Sequence, residues 1–212
     1  MLTASFILGL VLAYALGSVS SAIVLSRLFG LPDPRNIGSG NPGATNILRT
    51  GRKGLAAATL IGDAAKGWLP VYIALQLEHT AVGPMPLWMV ALIGLAAFLG
   101  HLFPIWHGLR GGKGVATAFG IVLAIDPITA GLTLVTWLLI AATTRYSSLA
   151  ALTAATLAPV YYSFSSNFTL HAEGWLLTLM ATVALLLYWR HDANIRRLLR
   201  HEEPRIGERR NQ

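Results

Sequence analysis

The chain has 212 residues, of which 54% are hydrophobic and 12% charged, with a formal net charge of +7 and no cysteine. A soluble domain carries about 25% charged residues, so this chain lacks the polar surface that water requires and is expected to face lipid. The missing cysteines exclude disulfides and thiol-based metal or nucleophile sites. The basic residues lie in short loops between apolar runs, which membrane orientation explains without a nucleic-acid partner.

A helical span needs about 20 apolar residues, fewer where part of it lies inside the protein. The first run, Leu2–Phe29, lacks a basic leader and a small-residue cleavage site, and reads as a retained span. Low in it, Ser18, Ser20 and Ser21 follow Gly17 as a small polar patch suited to helix packing.

The loop after it runs Pro34-Arg35-Asn36-Ile37-Gly38-Ser39-Gly40-Asn41-Pro42-Gly43-Ala44-Thr45-Asn46. Gly38-x-Gly40-x-x-Gly43 matches the dinucleotide fingerprint, but an apolar span precedes it rather than the strand of a βαβ unit. Gly38-x4-Gly43 begins like a Walker A loop, yet Ala44 stands where the phosphate lysine belongs. The feature both motifs share remains: glycines let backbone N–H groups converge on an anion. Ser39, Asn41 and Asn46 add neutral donors, and Arg35 and Arg49 add charge.

The second span is Leu55–Leu77. Inside it Asp63 and Lys66 are three residues apart and can meet on one helix face. Charges at membrane depth are costly, and here a structural pair and a substrate contact are both open. The third span, Leu87–Trp106, ends in His101-Leu-Phe-Pro-Ile-Trp-His107-Gly-Leu-Arg110-Gly111-Gly112-Lys113-Gly114. This turn sets an ammonium beside glycine amides and opens into a helix, whose N-terminus favours anions. No acidic or Cys partner accompanies His101 and His107, so no metal is expected.

The remaining spans are Val115–Ile125, Ile128–Thr144, Leu149–Phe164 and Trp175–Trp189, with Asp126-Pro127 breaking the run between the first two. The tail, His191–Gln212, is polar and expected to be helical. It opens with His191-Asp-Ala-Asn194-Ile-Arg196-Arg197-Leu198, where His191, Asn194 and Leu198 share one helical face. A His and an amide there can serve as an acid/base and its positioning group, or the segment can be a basic stop-transfer tail.

Charge then sets the topology. With seven spans, fifteen of the sixteen Lys and Arg residues fall on one side, and Lys66 lies within a span. The opposite loops, Glu78–Pro86, Asp126-Pro127 and Ser165–Gly174, hold none. The expected fold is therefore an all-α polytopic integral membrane protein of about seven transmembrane helices, with its N-terminus outside and its C-terminus cytoplasmic. Its glycine-rich phosphate-binding loops are cytoplasmic. Residues 1–190 are expected to form one transmembrane catalytic domain, to which the tail 191–212 contributes site residues.

Together these motifs resemble the bacterial membrane glycerol-3-phosphate acyltransferases that use acyl-phosphate. The family signature Arg-x-x-Gly-Ser-Gly-Asn-x-Gly-x-x-Asn is met by Arg35 through Asn46, and Gly-His-x-Phe-Pro with Gly-Gly-Lys by Gly100–Pro104 and Gly111–Lys113. His-x-x-Asn-Ile-x-Arg is met by His191, Asn194, Ile195 and Arg197, and Asp-x-x-Lys-Gly by Asp63, Lys66 and Gly67. Two positions depart: His201 stands where a Gly is usual, two residues before Glu203, and Ser20 stands where a Pro is common.

The resemblance implies transfer of a fatty acyl group from acyl-phosphate to the 1-hydroxyl of sn-glycerol 3-phosphate. The products are lysophosphatidic acid and inorganic phosphate, the first step of phospholipid synthesis at the bacterial inner membrane. It implies no cofactor, and coupling to the phosphate acyltransferase that forms acyl-phosphate. The candidate residues for catalysis are Ser39, His191 and Asn194, with either His191 or a substrate phosphate as the proton acceptor. Those for substrate binding are Arg35, Gly38, Gly40, Asn41, Asn46, Arg49, Lys66, Gly111, Gly112, Lys113 and Arg197. The His-x4-Asp pair of the soluble-domain acyltransferases is missing, because the fifth residue after His101, His107 and His191 is Trp106, Gly112 and Arg196. Two other classes share part of the pattern. An anion transporter would show inverted repeats, and a metal-dependent lipid phosphotransferase would cluster its Asp residues, which here are dispersed.

Overall fold

The computed structural model describes residues 2–77, 80, 83–169 and 174–208, without the side chains of 166–169. Parts of the Glu78–Pro86 and Ser165–Gly174 loops, and Arg209 and Arg210 of the tail, lie outside the described residues. Among the described residues the chain is helical and has no strand. The ten α-helices are α1 Leu2–Gly17, α2 Ser21–Leu28, α3 Ala44–Arg49, α4 Lys53–Gln76, α5 Leu87–Leu102, α6 Val115–Ile125, α7 Pro127–Thr144, α8 Ser147–Thr169, α9 Gly174–Arg190 and α10 Asp192–Leu199.

Each of the seven apolar runs contains helix, but two of them differ from a simple rod. The first breaks at Ser18–Ser20, and α1 and α2 meet at a bend of 49°. Ser20 closes the break by capping α2, accepting from the Ile23 N–H at 3.4 Å. A hydroxyl thus does at this position what a proline would do by another route, since both stabilise a helix start. At the second site, Asp126 caps α7 through the N–H groups of Ile128 and Thr129, with Pro127 at the first helical position. By length and composition, two helical segments can cross a membrane alone, Leu87–His107 and Pro127–Thr144, and a third is the bent α1–α2 pair. α6 has only 11 residues, about 16 Å at 1.5 Å per residue.

α6 reaches its depth by packing tightly on α4. A Cβ on Gly67 would overlap the Thr117 carbonyl, and one on Gly120 the Ala64 carbonyl, so each helix carries a glycine at the crossing. The α4 charges hold the bend in the first span. Lys66 Nζ lies 2.9 Å from Asp63 Oδ1 and donates to the Val19 carbonyl at 2.7 Å, inside the α1–α2 break. A carbonyl released by a helix break in lipid needs a donor, and Lys66 supplies it.

Candidate active site

A cavity of about 1330 Å³ opens among the first glycine loop, the start of α6, the α9–α10 junction and the tail, and continues between α6, α7, α8 and α9. Its polar end is built from three segments that are distant in sequence.

The first loop is wound around one side chain. The Asn46 amide donates to the carbonyls of Pro34 at 2.8 Å and Ile37 at 3.0 Å. Its oxygen accepts from the Ser39 N–H at 2.9 Å and the Ser39 hydroxyl at 3.2 Å. Gly38 has φ +57, and a Cβ there would overlap this Asn46 oxygen, which explains the glycine. Asn46 therefore shapes the loop, while Ser39, Asn41 and Arg49 form its share of the cavity wall. Arg35 is turned elsewhere. Its guanidinium grips Asp33, with Nη2 at 2.7 Å from Oδ2, and donates to the His107 carbonyl at 3.2 Å. The same pair holds the Asp33 carboxyl below its ordinary pKa.

The Gly111-Gly112 turn also differs from a phosphate-cradling loop. Both amides donate to the end of α5, Gly111 to the Leu102 carbonyl and Gly112 to the His101 carbonyl, each at 3.2 Å. A Cβ at Gly112 would overlap the His101 imidazole. The two carbonyls of the turn accept from Arg190, at 2.9 Å for Gly111 and 3.2 Å for Gly112. These glycines let the turn lie flat on α5, and that fixes the root of Lys113.

Lys113 reaches across to the tail and donates to Asn194 Oδ1. Asn194 Nδ2 donates in turn to Glu203 Oε1 at 2.6 Å. The same carboxylate oxygen accepts from the Ser148 hydroxyl at 2.7 Å, and Oε2 from Arg197 at 2.7 Å. Burial alone would push the Glu203 pKa up; the bonds from Asn194, Ser148 and Arg197 outweigh it and hold the carboxyl below its ordinary value. Lys113 is pushed down to about 8, chiefly by burial, with Glu203 opposing and Arg197, Arg49 and Arg190 adding repulsion. Lys113, Arg49, Arg190 and Arg197 outnumber the one carboxylate, so the field at this end of the cavity is positive.

His191 is buried beside them. Its Nδ1 lies 2.8 Å from the Leu187 carbonyl. A carbonyl only accepts, so Nδ1 carries the hydrogen and Nε2 keeps the lone pair. Burial, then the Lys113 charge, push its pKa down to about 4. His191 is therefore neutral at physiological pH.

The tail closes the assembly. After α10 it turns at His201, whose φ of 58 is the left-handed conformation that glycine adopts freely. It then returns to the α7–α8 corner, where the Ile206 N–H donates to the Arg145 carbonyl at 2.7 Å and Arg145 Nη2 donates to the Ile206 carbonyl at 2.8 Å. The turn survives the replacement of glycine by histidine, and Glu203 lands inside the site.

The structure thus brings together on the cavity wall Gly38, Ser39, Asn41, Asn46, Arg49, Lys113, His191, Asn194 and Arg197. Arg35, Gly40, Lys66, Gly111 and Gly112 are not among the residues that line it. Ser148 and Arg190 belong to the same network without any motif to announce them. Glu203 was visible in the sequence only beside a departure from a signature.

Comparison with known proteins agrees with this architecture. Residues 7–201 match the family model described as Glycerol-3-phosphate acyltransferase. A relative of that name from Thioalkalivibrio sulfidiphilus is 57% identical over 207 residues, covering 98% of this chain and 95% of the relative. Another from Bordetella pertussis is 53% identical over 199 residues, covering 93% and 90%. The crystal structure of PlsY, an integral membrane glycerol 3-phosphate acyltransferase, superposes in its glycerol 3-phosphate form with a TM-score of 0.84 at 35% identity and 96% coverage of each chain. Its lysophosphatidic acid form gives 0.82 at 34% and the same coverage. A membrane-embedded helical fold, three signatures in family order and full-length relatives leave one assignment: the chain belongs to the glycerol-3-phosphate acyltransferase family.

Proposed function

We propose that this protein transfers a fatty acyl group from acyl-phosphate to the 1-hydroxyl of sn-glycerol 3-phosphate. The single observation that carries this reading is the shape of the cavity, cationic at one end around Lys113 and apolar where it runs between α6 and α9. Both substrates bear phosphate and one bears a fatty chain, which is the same division.

In this reading Lys113, Arg49 and Arg197 hold phosphate, aided by the start of α6, which has no side-chain cap. Ser39, Asn41 and Asn194 orient the reacting groups. The 1-hydroxyl oxygen bonds to the acyl carbonyl carbon, and the bond from that carbon to the phosphate oxygen breaks. Phosphate leaves with the electron pair, and the hydroxyl proton moves to a base. A pKa near 4 makes His191 a weak one. A phosphate with a second pKa near 6 is the stronger acceptor. His191 then holds the glycerol by accepting from its 2-hydroxyl through Nε2, which leaves the 1-hydroxyl proton to pass to substrate phosphate. Because acyl-phosphate already has a good leaving group, positioning and charge supply most of the rate.

The wider reading is of seven spans in the bacterial inner membrane, with the N-terminus outside and the C-terminus cytoplasmic. Residues 1–190 form the catalytic unit and 191–212 the tail that completes the site. On the cytoplasmic side the enzyme receives acyl-phosphate from the phosphate acyltransferase that makes it. The test is to offer purified protein glycerol 3-phosphate with palmitoyl-phosphate, palmitoyl-CoA or palmitoyl carrier protein in turn. Lysophosphatidic acid and inorganic phosphate should form from the first. Equal or faster turnover with palmitoyl-CoA would overturn the assignment of the donor.

A further inference from the structure

Three helices stop lining the cavity at nearly the same depth. On α8 the wall runs from Ser148 to Ala158, on α7 its deepest residue is Thr133, counted from Thr144, and on α9 it is Leu179, counted from His191. At 1.5 Å per residue these are about 15, 16 and 18 Å along each helix. The hydrocarbon core is about 30 Å thick, so the cavity is about one leaflet deep.

About one turn beyond each limit stands a residue of the closed core: Ala130 on α7, Tyr162 on α8 and Leu176 on α9, at 0%, 5% and 4% exposure. None of the three lines the cavity, and each packs in the core cluster that also holds the wall residues Ile121, Leu179 and Val183. The apolar arm is thus a pit with a floor rather than a slot running through the bundle. Along α8 the wall is alanine at 151, 154, 155 and 158, and each missing side chain leaves room that a larger one would fill.

We propose that this floor, with Ala155 and Ala158 above it, fixes the length of acyl chain the enzyme accepts. The proposal rests on the acyl-phosphate reading of the same site and adds to it the residues that set specificity. The polar end fixes the carbonyl carbon, so the chain is measured from there to Tyr162. A chain that fits buries every methylene, whereas one that is too long must fold back or displace the core. Close-packed interiors resist that displacement.

The test compares kcat/KM for decanoyl-, palmitoyl- and stearoyl-phosphate in the wild type and four variants. Ala158→Leu should lower the stearoyl-to-decanoyl ratio by about tenfold or more, the scale for hydrocarbon that no longer fits an apolar pocket. Ala155→Leu, higher in the pit, should do the same for the palmitoyl-to-decanoyl ratio. Leu179→Ala deepens the pit, so its stearoyl-to-palmitoyl ratio should rise, which guards against a simple folding defect. Leu185→Phe, on an exposed face of α9 at 72% exposure, should keep the wild-type profile. Wild-type ratios in Ala158→Leu and Ala155→Leu, with decanoyl turnover retained, overturn the ruler and leave the donor assignment standing. Wild-type protein that turns over no acyl-phosphate overturns the donor assignment itself.

Discussion

Glu203 Oε1 lies 2.6 Å from the amide nitrogen of Asn194 and so decides which way that amide faces. A carboxylate only accepts, so the nitrogen must point at Glu203 and the oxygen at Lys113. The orientation of a residue in one signature is thus set by a residue beyond it.

Replacing this carboxylate by its amide removes the constraint. In Glu203→Gln the Asn194 amide can flip, and Arg197 loses its ionic partner. A hydrogen bond to a charged group is worth about 1.5–3 kcal/mol, so kcat/KM for glycerol 3-phosphate should fall by roughly tenfold or more. The pH dependence of stability has a definite sign. The folded pKa lies below the ordinary 4.5, so this contribution is complete above pH 4.5 and is lost as pH falls through the folded value. Thermal unfolding in detergent should show that acid loss in wild type and a smaller one in Glu203→Gln.

Lys113→Ala should mainly raise KM for a phosphorylated substrate, by about tenfold or more, since its charge meets phosphate in ground and transition state alike. With its pKa near 8, kcat/KM should fall as pH rises through about 8, where the free enzyme loses this charge. Lys113→Arg keeps its charge and should lack that limb. An identical alkaline limb in both proteins would exclude Lys113 as its source.

His191→Gln can still donate or accept a hydrogen bond but cannot take a proton. If the substrate phosphate is the base, this variant should keep kcat within about tenfold of wild type. His191→Ala should lose more, through misplacement of the hydroxyl. A drop of about 10²–10⁴-fold in kcat for His191→Gln would restore the imidazole as general base.

The left-handed His201 invites a stabilising change. A side chain in this conformation costs about 1–2 kcal/mol, and glycine avoids the cost while giving back about 0.5–1 kcal/mol through unfolded-chain entropy. His201→Gly should raise the unfolding midpoint slightly with activity unchanged. A lower midpoint would mean that the imidazole makes a favourable contact of its own.

Membrane orientation can be tested on the cysteine-free background. A cysteine at Thr80 should react with an impermeant thiol reagent in intact spheroplasts, and one at Arg200 only after lysis. Labelling of the Arg200 position from outside would place the tail outside and merge α6 with α7 into one span.

Apolar runs made the long helices legible, because lipid demands apolar side chains over a fixed length. The break in the first span was not, since it depends on Lys66 reaching Val19 from another helix. Ser39, Lys113, His191 and Asn194 stand in the signatures and line the cavity, whereas the amides of Gly111 and Gly112 bond to carbonyls at the end of α5. In sequence, a glycine that yields to an anion looks the same as one that yields to a packed helix. Ser148 and Arg190 left no trace, because the residues they bond to in the site lie at least 55 positions away.

The floor formed by Ala130, Tyr162 and Leu176 has a consequence for the membrane as a whole. In the proposed membrane orientation, a pit about one leaflet deep opens toward one side, and its lipid product leaves on that side. Each catalytic cycle then enlarges one face of the membrane and not the other. The two faces can keep equal area only if lipids made downstream of this step are carried across, so the asymmetry of supply is already present in the packing of three helices.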